Sequence, residues 1–163
     1  MRKKTQHGRD FLFGSWVDHE YQTLRRLHAA GADVPRPIAR SRSALLMEYV
    51  GDADSSAPML SSVTLEPGQA QPLFDRLLYN VQLLLAQNCV HGDLSPFNVL
   101  YWRGGATLID FPQAVDPRFN PNAAFLLRRD LDNLCRYFTR YHVEADPDHF
   151  ASQLWAWFLH GAQ

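Results

Sequence analysis

Residues 91–110 constrain the fold of this chain more than any other stretch. His91-Gly-Asp-Leu-Ser-Pro-Phe-Asn98 is a polar, turn-forming loop, and two short apolar runs separate it from Ile109-Asp110-Phe111. Val99-Leu100-Tyr101 and Thr107-Leu108-Ile109 have strand length and strand-forming side chains, and a turn at Gly104-Gly105 folds them into a hairpin. A hairpin brings its two open ends together. Asn98 enters the first strand and Asp110 leaves the second, so the two can converge on one ion, with Asp93 beside them across the Pro96 loop. Hard oxygen ligands suit magnesium on phosphates, and a carboxylate near an attacking hydroxyl is what phosphoryl transfer requires. Each residue alone is a weak signal, because a single Asp in a turn most often bonds its own backbone. The ordered combination of long helix, HxDxxxxN loop, hairpin and Ile-Asp-Phe leaves far less room for coincidence.

The rest of the sequence supplies a scaffold. Ser15-Trp16-Val17-Asp18 reads as a capping box, with residues 1–14 as a loop or a frayed start before it. The helix it opens runs through Val17, Tyr21, Leu24 and Leu27, and Gly31 stops it. Pro35 and Pro37 enforce an extended segment, and Ala44–Val50 is a short strand. Residues 51–68 are a connecting loop rich in Gly, Ser, Asp and Pro. Pro67 or Pro72 opens the next helix, whose buried face is Leu73, Leu77, Val81, Leu84 and Leu85. It is expected to be the longest core helix. Two helices, over about 122–141 and 147–160, end the sequence.

With 163 residues, 46% apolar and 20% charged, the protein has the makings of one globular domain with a hydrophobic core. A net charge of -1 gives no bulk attraction to nucleic acid or to an acidic membrane surface. No stretch has the length of a membrane span, and Met1-Arg-Lys-Lys-Thr lacks the apolar run of a signal peptide, so a cytoplasmic protein is expected. Cys89 and Cys135 are too few for a disulfide framework and read as small buried thiols. His7, His19, His28, His142, His149 and His160 show no metal-binding spacing and read as solvated, whereas His91 reads as a brace for its loop. Trp155, Trp157 and Phe158 read as core packing of the last helix, and Arg128-Arg129 as a solvated helix face. Asp130 is expected to hydrogen-bond the loop around Asp93.

His91-Gly-Asp-Leu-Ser-Pro-Phe-Asn98 and Ile109-Asp-Phe-Pro-Gln113 follow the order of a kinase catalytic loop and metal loop, and resemble the RIO family of atypical serine/threonine protein kinases. The resemblance extends from about Trp16 to Phe138. It takes in Glu20-Tyr-Gln-Thr-Leu-Arg-Arg-Leu27, Pro35-Arg-Pro37, Met47-Glu-Tyr-Val50 and Phe125-Leu-Leu-Arg-Arg-Asp130. Aminoglycoside and choline kinases share HGDxxxxN and Ile-Asp-Phe, but more often carry His at the place of Ser95 and lack the Pro-Gln that follows here.

The resemblance implies an α+β, protein-kinase-like fold. A mostly helical C-lobe with a short hairpin would occupy residues 51–163, and residues 1–50 would form a partial N-lobe with an αC-like helix and one or two strands, all within a single domain. It implies ATP and Mg2+ as ligands. Asp93 would accept or orient the proton of the nucleophile, Asn98 and Asp110 would hold magnesium, and Asp110 would also accept phosphate itself. Ser95 would stand where ordinary protein kinases place a lysine facing the transferred phosphate. Glu48 and Val50 would offer a backbone C=O and N–H to adenine, with Met47 as the gate behind them, and Glu20 would pair with an ATP-positioning lysine.

Neither a glycine-rich loop nor a Val-Ala-Ile-Lys-like strand precedes Glu20, and Lys3 and Lys4 read as exposed basic residues in a polar run. The family places three strands and the lysine ahead of this helix, so the expectation is a mis-started, fragmentary or degenerate protein with impaired turnover. A small-molecule phosphotransferase and a non-catalytic binding fragment are the alternatives. The resemblance carries a link to assembly of the small ribosomal subunit, but nothing in the sequence names a protein substrate.

Overall fold

Four helices and two pairs of short strands follow one another in a computed structural model that describes residues 6–161, with side chains from Trp16 onward. Helix α1 spans Gln6–Ala29. The expected loop over residues 1–14 is therefore corrected from Gln6 onward, and Ser15 lies inside the helix rather than capping it. Gly8 and Gly14 oppose the helix there by only about 1 kcal/mol each. Residues 1–5, with Lys3 and Lys4, lie outside the described part. At the far end Gly31 adopts a left-handed φ of +83°, and the Ala32 N–H reaches back to Leu27 C=O at 3.1 Å, a Schellman-type stop.

After Pro35 the backbone runs into β1, Pro37–Arg40, which turns at Ser41 and returns as β2, Leu45–Met47. The pair is antiparallel, with Arg40 opposite Leu45 and an irregularity between Pro37 and Ala39. Helix α2, Ala70–Ala86, buries the predicted face of Leu73, Leu77, Val81, Leu84 and Leu85 together with Phe74 and Asn80. It is not the longest helix, since α1 has 24 residues and α2 has 17.

Strands β3, Val99–Trp102, and β4, Gly105–Leu108, pair antiparallel with Val99 opposite Leu108 and Trp102 opposite Gly105. The turn is Arg103-Gly104, one residue earlier than expected, with φ of +50° and +86°. Two positive φ values match the right-handed twist of the strands, and Gly105 is left free to complete the ladder. Helices α3, Ala123–Thr139, and α4, Pro147–Gly161, complete the fold as the apolar pattern requires.

One core joins these elements. Phe74 of α2 meets Phe138 of α3 edge-on at 5.4 Å between centroids and Phe150 of α4 at 5.9 Å. Trp155, Trp157 and Phe158 are half-buried against the same core, as expected. Tyr137 donates its hydroxyl to Leu60 C=O at 2.8 Å, tying α3 to the connection before α2. Cys89 and Cys135 are buried free thiols, and burial pushes them up to about 12 and about 11. No helix among the described residues is long and apolar enough to cross a membrane.

Candidate active site

The backbone leaves α2 through Asn88, with a left-handed φ of +54°, and pairs Val90 with Val115 by reciprocal N–H to C=O bonds of 2.9 Å. That clip closes residues 91–114 into one unit containing the polar loop, the hairpin and Asp110. Inside it, Gly92 has a φ of +79°, and a Cβ there would stand 2.7 Å from Gln113 C=O. Only glycine lets the two arms come so close.

His91 braces this unit as expected. Its ring is 1% exposed, sits 4.6 Å from the Phe111 ring, and places Nε2 3.1 Å from Ile109 C=O. Burial pushes its pKa down, so the ring is neutral, and the carbonyl partner requires the proton on Nε2.

Helix α3 grips the loop around Asp93. The buried carboxylate of Asp130 accepts the N–H of Gly92 at 2.8 Å and of Leu94 at 2.9 Å, as the sequence suggested. Burial drives its pKa up to about 7 against the pull of those two bonds and of Arg129. Two further grips go beyond the sequence reading. Arg129 is exposed, in keeping with a solvated face, but its guanidinium donates to Gly92 C=O, and Asn133 donates to Leu94 C=O at 2.9 Å. The available signal is the set of polar residues at 129, 130 and 133, a spacing that shares one flank of a helix. Arg128 instead forms ion pairs with Asp132 and Asp148.

Asn98 links the loop around Asp93 to the hairpin end before Asp110. Its amide nitrogen donates to Asp93 C=O at 2.9 Å and lies 3.5 Å from the Asp93 carboxylate. Its backbone C=O accepts the N–H of Ile109 at 3.0 Å, one residue before Asp110. With Nδ2 held by Asp93, Oδ1 is the atom Asn98 has left for a cation. Asp110 is exposed in a left-handed φ of +68°. Across from it, Glu20 of α1 accepts the Phe111 N–H at 3.4 Å. Burial pushes the Glu20 carboxyl up, and the Asp110 charge adds to the shift.

Glu20, Met47, Glu48, Val50, Asn98 and Asp110 all line one cleft of about 850 Å³, with Leu100 and Ile109 adding apolar wall. Asp93 and Ser95 are not in its lining. Asp93 joins it through Asn98, and Ser95 precedes the short 3-10 turn Pro96–Asn98, its C=O accepting the Asn98 N–H at 2.9 Å. Among the described residues, Glu48 N–H goes to Arg36 C=O at 2.8 Å and Val50 C=O accepts Ala57 N–H at 2.8 Å. Glu48 C=O and Val50 N–H are outside those bonds.

No three His, Cys, Asp or Glu residues cluster as metal ligands among the described residues. The donor set is instead one amide oxygen and one carboxylate at the mouth of the hairpin. That set fits a hard cation which takes its remaining ligands from phosphate and water, and does not fit a zinc-type cage.

A family model for the RIO domain matches residues 1–150. The protein is 37% identical over 142 residues to the RIO-type serine/threonine-protein kinase Rio1 of Haloferax volcanii, a match covering 87% of this chain and 48% of that protein. With Rio1 of Thermoplasma acidophilum it shares 34% over 145 residues, covering 89% and 75% respectively. Human serine/threonine-protein kinase RIO1 is 35% identical over 130 residues, 79% of this chain and 23% of that one. A crystal structure of the Rio2 kinase–ADP/Mg2+–phosphoaspartate complex from Chaetomium thermophilum matches with a TM-score of 0.73 at 26% identity, covering 94% of this chain and 49% of that chain. The sequence thus spans about half the length of the Haloferax relative and of the Chaetomium structure.

Proposed function

The chain belongs to the RIO domain family, and from that premise we propose that it performs magnesium-dependent phosphoryl transfer from ATP, with Asp93, Asn98 and Asp110 as its working side chains. The observation that carries the proposal is the position of Asn98, bonded to Asp93 on one side and lining the cleft with Asp110 on the other. Adenine would lie between Leu100, Ile109 and the Glu48–Val50 segment, taking the N–H of Val50 and the C=O of Glu48, with Met47 behind it. Asn98 Oδ1 and the Asp110 carboxylate would hold Mg2+. When bound, the cation neutralises phosphate charge. Ser95, beside the catalytic loop, would face the transferred phosphate. Glu20 accepts the Phe111 N–H, which ties α1 to the metal loop, and it would also pair with an ATP-positioning lysine.

In the kinase reading, Asp93 takes the proton of a substrate hydroxyl as its oxygen bonds to the γ-phosphorus and ADP leaves with the electrons of the broken P–O bond. A second reading is favoured by the phosphoaspartate named in the Chaetomium complex and by the exposed Asp110. There, an Asp110 oxygen attacks the γ-phosphorus, ADP leaves, and water later releases phosphate, which makes the protein an ATPase.

Turnover of radiolabelled ATP by the full-length protein, with and without Mg2+, tests the proposal. Asp93→Ala and Asp110→Ala are expected to lower turnover by roughly 10²–10⁴-fold while leaving the circular dichroism spectrum unchanged. Label that hydroxylamine releases from the protein marks the aspartyl route, and label stable to it marks a serine or threonine acceptor. Wild-type turnover in Asp93→Ala would overturn the role of Asp93. A wild-type protein that neither turns over ATP nor gains melting temperature with Mg-ATP would overturn the function in favour of a non-catalytic fragment.

A further inference from the structure

We propose that Arg129 and Asn133 are positioning residues for this site, acting with Asp130 so that one flank of α3 fixes where the Asp93 carboxylate stands. The inference rests on the reading of Asp93 as a reacting group. Its basis is a complete set of bonds: both residues flanking Asp93 have their N–H and C=O groups held by α3 side chains. Asp130 takes the N–H groups of Gly92 and Leu94, Arg129 takes Gly92 C=O, and Asn133 takes Leu94 C=O. Asp93 C=O is in turn held by Asn98. The residues on either side of Asp93 are therefore pinned at both their donors and their acceptors. A carboxylate carried on a pinned loop keeps its distance to a reacting hydroxyl, and a displacement of about 1 Å in such a group can cost on the order of 10²-fold in rate.

Arg129 has a second effect, through charge. The groups that face Asp130 are Arg129 from α3 itself, Asp93 from the loop and the Cys89 thiol beyond the end of α2. Cys89 is protonated and Asp93 disfavours ionised Asp130, so Arg129 is the one cation among them that favours it. Ionised Asp130 can accept both N–H bonds at full strength, whereas a protonated acid offers one good acceptor. Removing Arg129 both frees Gly92 C=O and moves Asp130 toward its weaker form.

The test is steady-state ATP turnover by the full-length protein with Arg129→Met, Arg129→Lys or Asn133→Ala, beside Asp93→Ala as reference. Arg129→Met and Asn133→Ala are expected to lower kcat about tenfold with the KM for ATP within about twofold, the pattern of a group that matters in the transition state. Arg129→Lys, which keeps a donor and the charge, is expected to recover most of the loss. The acid limb of the kcat profile should move to higher pH in Arg129→Met and stay in place in Arg129→Lys, a shift that mere loss of stability does not produce. Independently of turnover, amide hydrogen exchange over residues 92–98 should quicken in Arg129→Met and Asn133→Ala at unchanged exchange elsewhere. If Asp93→Ala is dead while Arg129→Met and Asn133→Ala keep wild-type kcat, pH profile and loop exchange, the inference is wrong and the reading of Asp93 stands. If Asp93→Ala keeps wild-type turnover, that reading is wrong, and the inference falls with it. In a protein without measurable turnover, unaltered exchange at 92–98 overturns the inference by itself.

Discussion

Asn80 and Asp33 bond each other in both directions. The Asp33 N–H donates to Asn80 Oδ1 at 2.7 Å, and Asn80 Nδ2 donates to Asp33 Oδ2 at 2.7 Å. Arg76, one turn earlier on α2, holds both oxygens of the same carboxylate at 2.5 and 2.7 Å. Asp33 C=O then accepts the N–H of Leu108 at 2.7 Å, two residues before Asp110. The register of the hairpin end that carries Asn98 and Asp110 is thus referred back to the middle of α2. Hydrogen bonding by Arg76 and Asn80 more than offsets burial and holds the Asp33 carboxyl below the usual carboxylate range.

Asn80→Ala should destabilise the fold by about 1–3 kcal/mol, because Asn80 is fully buried and the change strips the Asp33 N–H of its acceptor inside the protein. In urea unfolding followed by circular dichroism, the midpoint should fall with the slope unchanged. A shift below about 0.5 kcal/mol, the size of an ordinary surface change, would show that the pair is not structural.

Gly92→Ala should be among the most damaging single-methyl changes in the protein. The added Cβ meets Gln113 C=O at 2.7 Å, a backbone atom that cannot swing aside, and the residue must also hold a φ of +79°. Strain of this kind costs on the order of 1–3 kcal/mol, and separating residues 92 and 113 pushes the catalytic loop away from the segment after Asp110. Both melting temperature and Mg-ATP-dependent stabilisation are expected to drop. Normal values for both would refute the close approach.

Asp130 imposes a pH dependence whose sign is set by burial. Its pKa is raised to about 7 in the fold, from 3.8 in the unfolded state, so the folded state retains a proton that the unfolded state gives up. Its contribution is complete below about pH 4 and is lost as the pH climbs through about 7. Asp130→Asn cannot ionise, and like the protonated acid it offers one good acceptor, so it escapes this loss. In paired urea titrations wild type is expected to lose stability relative to the variant between pH 5 and pH 8. A wild type that gains on the variant over that interval would reverse the assignment.

What is legible in the sequence follows from what is local. The buried face of α2, the existence of α3 and α4 and that of the β3–β4 hairpin rest on periodicity and turn chemistry within a few residues. Asn98 and Asp110 come to one cleft because a hairpin has only one way to close. The start of α1 departs from expectation because a capping motif, Ser15 to Asp18, is permissive: it marks where a helix can begin, not where it must. What Arg129, Asn133, Asn80 and Asp33 bond to is invisible for a different reason. Their partners are backbone groups or side chains 37, 39 and 47 positions away, and a backbone acceptor leaves no trace in residue identity. The family resemblance supplies roles for Glu48 and Val50 that periodicity alone never would.

The two-residue turn at Arg103-Gly104 lies at the opposite end of the hairpin from Asn98 and Asp110. The distance between Asn98 and Asp110 is therefore fixed by the first rung of the ladder and is indifferent to what happens past the last. A short epitope or fluorophore-bearing peptide spliced between Arg103 and Gly104 would ride on the outside of the molecule, whereas deletion of one residue from either arm would turn Asn98 or Asp110 to the wrong side of the ribbon.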